Sequence, residues 1–214
     1  MTAKEFSQRL SRRAKRVRLI LPPELSSRLW VYFELLFRWN EKINLTSLTL
    51  DTPDEAIDRL LIEPLLAAKQ LNGTKNLIDV GSGGGSPAIP LALASIGVRL
   101  VMVESKARKS AFLRDVLRQL ALAGSVETTR FEELLSRPEF HEAFDVLSVR
   151  AVRTEPRTLN SLQAFVRPGG RLLLFRATSA GNQPVDAVPP LRWREAFPLV
   201  QGSELQILEK LRIP

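Results

Sequence analysis

The groups of this chain that can do chemistry are exposed backbone amides, carboxylates and guanidinium groups, and they centre on Leu77-Ile78-Asp79-Val80-Gly81-Ser82-Gly83-Gly84-Gly85-Ser86-Pro87. Three strand formers, Leu77, Ile78 and Val80, run into a turn whose glycines at 81, 83 and 85 permit a sharp reversal and a close approach of backbone to ligand. Pro87 suits the first turn of a following helix. Roughly 20 residues beyond the turn, Glu104 ends a second apolar run, where a carboxylate can accept from two ribose hydroxyls. Arg150 and Arg176 close two later apolar runs. With Arg59, Lys106, Arg108 and Lys109 they predict a basic mouth for a phosphodiester chain, since a guanidinium grips phosphate or carboxylate with two parallel bonds.

Other chemistry is excluded by composition. Cys 0 removes disulfides, thiolate metal sites and cysteine nucleophiles together. The single histidine, His141 in Arg-Pro-Glu-Phe-His-Glu, reads as a loop or helix-end residue and not a base, so a histidine metal cluster or a Ser-His-Asp triad has little to build on. No metal is expected, and no residue is assigned as a catalyst.

The elements that must position these groups follow from periodicity. From residue 75 onward short apolar runs alternate with helical segments, which argues for parallel βαβ units: an α/β fold with a mostly parallel twisted sheet. Strands are predicted at Asn76–Val80, Arg99–Val103, Val126–Thr129, Asp145–Val149 and Arg171–Phe175. Helices are predicted at Pro87–Ile96, Ala107–Leu122 and Pro156–Phe165. The remainder, 177–214, reads as a Pro- and Ala-rich loop, a segment around Trp193 and a last strand near Leu205–Leu208. Ahead of the sheet, Glu24–Asn40 repeats Leu25, Leu29, Phe33 and Leu36 at helical spacing, with Trp30 and Phe37 as packing residues beside them. Another helix starts with Asp51 or Thr52 as cap and Pro53 at its first position, is interrupted by Pro64, and stops at Asn72-Gly73.

Three segments result: a basic N-terminal arm (1–23), a helical cap (24–73) and a ligand-binding domain (74–214). Hydrophobic residues at 44% and charged residues at 25% are those of a globular domain able to bury a core. The formal charge of +8 is concentrated in the first 18 residues, where seven cations face one acid, Glu5. Such an arm has the footprint of a polyphosphate partner, against the alternatives of a solvated tail or a targeting peptide. No apolar run is long enough for a bilayer and no secretory signal is visible, so no membrane partner is expected, and a cytoplasmic, monomeric protein is.

The nicotinamide fingerprint wants a third glycine where Ser86 stands; the order Gly81-x-Gly83-x-Gly85 with Asp79 two residues upstream instead resembles the first motif of S-adenosylmethionine-dependent methyltransferases with a Rossmann-like sheet. Arg130-Phe131-Glu132-Glu133 could lay a ring and an acceptor beside an adenine, or be an acid-rich helix start. A closer resemblance covers residues 25–176. Arg38-Trp39-Asn40, Asn44-Leu45-Thr46-Ser47, the glycine turn with Ile89-Pro90-Leu91, the run from Glu104-Ser105 to Phe112-Leu113, Arg130 to Glu133, and Arg150-Ala151 are similar in order and spacing to the RsmG (GidB) family. The resemblance implies a class I methyltransferase that uses S-adenosylmethionine to methylate N7 of a guanine in 16S ribosomal RNA, within the small subunit or an assembly intermediate. By position it implies cofactor contacts from Gly81, Ser86, Phe131, Glu132 and Arg150; the turn and the strand end add Gly83 and Glu104, and Asn44, Arg59, Arg150 and Arg176 are the expected substrate contacts. The chain departs from the family pattern at Leu60, Glu104, Val149, Arg176-Ala177 and Ser203.

Guanine N7 already presents a lone pair, so displacement at a sulfonium methyl asks for position and not for a protein base, in keeping with a chain so poor in nucleophiles. Pyrimidine C5 methylation would need the missing thiolate. Amino-group methylation of bases usually goes with an Asp/Asn-Pro-Pro-aromatic motif where Val149-Arg150-Ala151-Val152 stands. The rivals are a non-catalytic RNA-binding or assembly factor on this fold, a methyltransferase of another RNA or a small molecule, and a nicotinamide oxidoreductase.

Overall fold

The computed structural model describes residues 1–46, 48, 50, 53–151, 155–178, 185–200 and 202–212. Ser47, Asp51, Thr52 and Val152, and with them the expected helix cap, lie outside the described residues. The strands are β1 (Asn76–Val80), β2 (Arg99–Val103), β3 (Gly124–Glu127), β4 (Phe144–Arg150), β5 (Val166–Ala177), β6 (Leu191–Pro198) and β7 (Ser203–Lys210). They form one sheet in the order β3-β2-β1-β4-β5-β7-β6, with β1 to β5 parallel and β7 antiparallel to both β5 and β6. The chain winds outward from β1 in one direction and from β4 in the other. Between their carboxyl ends lies the switch point where open α/β sheets bind ligands.

Because side chains alternate along a strand, the inner strands feed two cores. Leu77, Leu100, Met102, Val146, Leu173, Phe175, Leu205 and Ile207 face the N-terminal helices, whereas Ile78, Val80, Val101, Leu147, Val149, Leu172, Leu174 and Leu208 face the other side. The first layer holds α1 (Ala3–Arg16), α2 (Pro23–Asn40), α3 (Pro53–Ile57), α4 (Glu63–Ala67), α5 (Ala88–Leu93) and α6 (Ala107–Gln119); α7 (Phe131–Leu134) and α8 (Pro156–Leu162) follow.

Several boundaries differ from the sequence-based expectation. The first residues are not a tail: Thr2 caps α1 with Glu5 in a reciprocal capping box, and Phe6 and Leu10 are fully buried, with the Phe6 ring 5.3 Å from Trp30 and 5.2 Å from Phe33. The helix expected to break at Pro64 instead passes from α3 through a π-helical turn, Asp58–Ile62, into α4. The third strand shifts: β3 begins at Gly124, where a Cβ would meet the Leu100 carbonyl at 2.2 Å, and Thr128 and Thr129 lie beyond it. The strand expected at Arg171–Phe175 starts earlier, at Val166, so Pro168-Gly169-Gly170 lies within β5, as the irregularity between the Phe144–Val166 and Val146–Arg171 pairs. The segment around Trp193 is the edge strand β6.

Candidate functional site

The glycine turn leaves β1 at the switch point with φ of +76° at Gly81, +51° at Gly83 and +85° at Gly85, a region that favours glycine. Its far side is covered. Gly84 lies against the cap, where an added Cβ would stand 3.2 Å from both Leu36 Cδ1 and the Leu45 carbonyl, and Tyr32 donates its hydroxyl to the Gly84 carbonyl at 2.6 Å. The segment that makes this contact is itself held by Asn40, whose Oδ1 accepts the amides of Leu45 at 2.8 Å and Thr46 at 3.1 Å. At Gly83, by contrast, a Cβ would meet only the Gly81 carbonyl, at 3.8 Å, so the near side is open.

Two clefts adjoin at the turn. One, about 330 Å³, is lined by Gly81, Glu104, Lys106, Arg130, Phe131 and Glu132 among others. Glu104, only 7% exposed, is oriented by two backbone amides, accepting from Gly83 at 2.9 Å and from Lys106 at 2.8 Å. A carboxylate has about four lone-pair sites, so acceptor capacity remains for a ligand. Behind the turn Asp79 is buried, accepts the Ser148 hydroxyl, and is pushed by burial up to about 6, against the pull of Ser148, Ser82 and Arg150.

The other cleft, also about 330 Å³, is lined by Leu45, Thr46, Arg59, Gly83, Ser86, Lys109 and Arg150 among others. Its wall owes its form to the π-helical turn. Glu63 N–H donates to the Asp58 carbonyl, so it is not available to Arg59 O, and Pro64 brings no N–H to either Arg59 or Leu60. Both carbonyls take side chains instead: Arg150 Nη1 donates to Arg59 O, and Ser86 Oγ donates to Leu60 O at 2.9 Å. Pro64 thus joins the cap to the end of β4 and to the glycine turn.

Glu63, 1% exposed, sits between the two arginines of this cleft, 2.8 Å from Arg150 Nη2 and 3.3 Å from Arg59 Nη1, and accepts the Ser203 hydroxyl as well. Burial pushes its carboxyl up, against the opposing pull of Arg150, Ser203 and Arg59. Arg150 also lies over the Phe175 ring, 4.7 Å from its centroid.

The expected site residues therefore divide. Gly81, Glu104, Phe131 and Glu132 meet in the first cleft, and Gly83, Ser86, Arg59 and Arg150 in the second. Asn44 is exposed on the loop beside Leu45. Arg176 is not brought into the mouth: it follows Phe175 onto the opposite sheet face, where Nη1 donates to Gln206 Oε1 at 3.0 Å, and that oxygen also accepts the buried Val185 amide. Strand alternation, read one residue further, carried this signal. Tyr32, Asn40 and Glu63 were not singled out as site residues; the i,i+4 spacing of Arg59 and Glu63 was legible, but their meeting with Arg150 depends on the sheet.

A family model described as GidB, rRNA small subunit methyltransferase G, matches residues 26–187. Ribosomal RNA small subunit methyltransferase G of Sorangium cellulosum is 34% identical over 199 residues, covering 90% of this chain and 80% of that protein. The protein of the same name from Syntrophotalea carbinolica is 29% identical over 187 residues, covering 87% and 85%. Among solved structures, an O-methyltransferase from Bacillus cereus in complex with SAH superposes with a TM-score of 0.63 at 18% identity over 99% of this chain and 100% of that one, a likeness of fold. The family match runs unbroken from α2 through the glycine turn and the parallel strands to the far side of β5, and on that span the chain belongs to the GidB, or rRNA small subunit methyltransferase G, family.

Proposed function

We propose that the chain is an S-adenosylmethionine-dependent methyltransferase that modifies N7 of a guanine in small-subunit ribosomal RNA. The observation that carries the reading is the pair of clefts meeting at the glycine turn of a chain of this family. The residues fit the cofactor: the turn is open where Gly83 would otherwise carry a Cβ, and Glu104 keeps acceptor capacity beside an apolar ring, Phe131. Glu104, Phe131 and Glu132 would hold the adenosine part and the turn at Gly81 and Gly83 the amino-acid part; Ser86 and Arg150 shape the cleft beyond the turn. When bound, S-adenosylmethionine supplies an electrophilic methyl group.

The chain's own work is placement. Arg59 and Lys109 present positive charge at the second cleft, and Asn44 is exposed next to Leu45 of its lining, positions suited to RNA phosphates. Arg150 is committed to Glu63 and to Arg59 O, which makes it a fixed wall of the cleft. The attacking nitrogen needs no base, and no side chain is assigned one. A base must leave its stack to reach such a pocket, so the substrate is an exposed loop of the small subunit or of an assembly intermediate, met by a monomer in the cytoplasm.

The test uses labelled S-adenosylmethionine with protein-free small-subunit RNA and, separately, with small subunits from cells lacking the enzyme, followed by mapping of the label. Label at a guanine N7 is expected. Label on another atom or on a small molecule would move the specificity, and RNA affinity without cofactor binding would make the chain a non-catalytic assembly factor.

A further inference from the structure

The cations of α1 are divided between two faces. On the inner face Arg9 pairs with Asp54 at 2.8 Å, and Arg13 bridges Asp54, at 3.0 Å, and Asp58; Phe6, Leu10 and Ala14 are buried beside them. The outer face exposes Lys4, Arg12, Lys15 and Arg16, with Ser7, Gln8 and Ser11 between them. All but Lys4 line one shallow concavity. The one acid of α1, Glu5, is folded onto the helix start, accepting the Thr2 amide at 2.7 Å. Arg12 is near enough to Asp54 to help hold that carboxyl low, yet none of the four outer cations forms an ion pair among the described residues.

Arg12, Lys15 and Arg16 stand at i, i+3 and i+4, the spacing at which like charges repel across a helix face. A merely solvated face commonly relieves that repulsion with interleaved carboxylates; here hydroxyl and amide groups stand in those places, and these, like the cations, can donate to phosphate oxygens. We propose that this outer face is the docking ridge for the phosphodiester backbone of the substrate RNA, an inference that rests on the function proposed above. An anionic bilayer is the poorer partner, because a helix that lies in a membrane surface needs a free apolar face and that of α1 is spent on the protein core. The ridge lies outside the 26–187 span of the family match. Its inner face keys it to the reaction site: Asp58, which holds Arg13, opens the π-helical turn whose next two carbonyls hold Arg150 and Ser86.

The test compares the full chain with R12Q/K15Q/R16Q and R12E/K15E/R16E, and with K75Q/R99Q at the amino ends of β1 and β2 as a charge control. Binding of a small-subunit RNA transcript is measured across a salt series, cofactor binding by calorimetry, and folding by melting temperature. The glutamine variant is expected to bind the transcript at least about tenfold more weakly, with a slope of log affinity on log salt shallower by about 2, as for three lost phosphate contacts. Cofactor affinity and melting temperature stay at the parent values. Unchanged RNA affinity and slope in both ridge variants, or an equal loss in the control, overturns the ridge whether or not the parent methylates RNA. Loss of binding to phosphatidylserine vesicles with RNA binding retained overturns the choice of RNA as occupant. A parent that binds RNA through the ridge but labels no subunit overturns the proposed reaction and leaves the ridge standing.

Discussion

Asp79 is the residue at which burial and chemistry compete most openly. It lies in β1 at 1% exposure, two residues before Gly81, and burial raises its carboxyl from 3.8 to about 6. The folded state therefore holds a proton that the unfolded chain has released between about pH 4 and pH 6, and stability falls as pH rises through that window. A shift of this size corresponds to about 3 kcal/mol. Asp79→Asn removes the titration, so its stability relative to the parent is expected to rise by up to about 3 kcal/mol between pH 4 and pH 7 in urea titrations; a difference independent of pH would place the proton elsewhere. Asp79 was visible in the sequence as an acid before a glycine turn, but its partner was not, because Ser148 is brought beside it only by the β1–β4 pairing.

At the scale of elements, the glycine turn works because its two sides differ. Gly84, with no positive φ, is small because the cap must touch it; Gly73, at φ +76° with nothing within 4 Å of an added Cβ, is there for its backbone conformation alone. The two separate cleanly on substitution to alanine. Gly84→Ala is expected to push Leu36 and the Leu45 segment off the turn and to weaken cofactor binding about tenfold in calorimetric titration, an effect of about 1.4 kcal/mol. Gly73→Ala is expected to cost about 1–2 kcal/mol of stability in chemical denaturation with cofactor affinity unchanged. Legibility followed the same division. The helix of 53–71 could be read from its apolar spacing and Pro64 could be read as an interruption, but the form it takes, a π-helical turn that surrenders two carbonyls to Ser86 and Arg150, depends on side chains from outside the helix being there to donate to them.

Over the whole molecule, the cap, α1 and the first face of the sheet share one core. Phe6 and Leu10 are fully buried in it, each worth about 1.5–3 kcal/mol. Removing residues 1–18 is therefore expected to lower the melting temperature by about 10 °C or more, at roughly 2–4 °C per kcal/mol for a chain of this size. A solvated tail would leave it unchanged. The charge excess suggested a basic arm, but composition does not say which cations are spent: Arg9 and Arg13 pair with Asp54 and Asp58, residues more than forty positions away in the chain.

What the sequence determined by itself were the features set by local steric and solvation rules: the βαβ alternation, the glycine turn whose positive φ angles favour residues without a Cβ, the acid closing β2, and the absence of thiol chemistry. What the tertiary structure decided were the relations between residues distant in the chain. It put Glu63 between Arg59 and Arg150, turned Arg176 to the face opposite Arg150, and set Tyr32 and Leu45 against Gly84. The physical reason is range. Backbone conformation and hydrophobic period act over a few residues and are written in order along the chain, whereas an ion pair or a close approach depends on which strand lies beside which, and that is settled only when the sheet has formed around both cores.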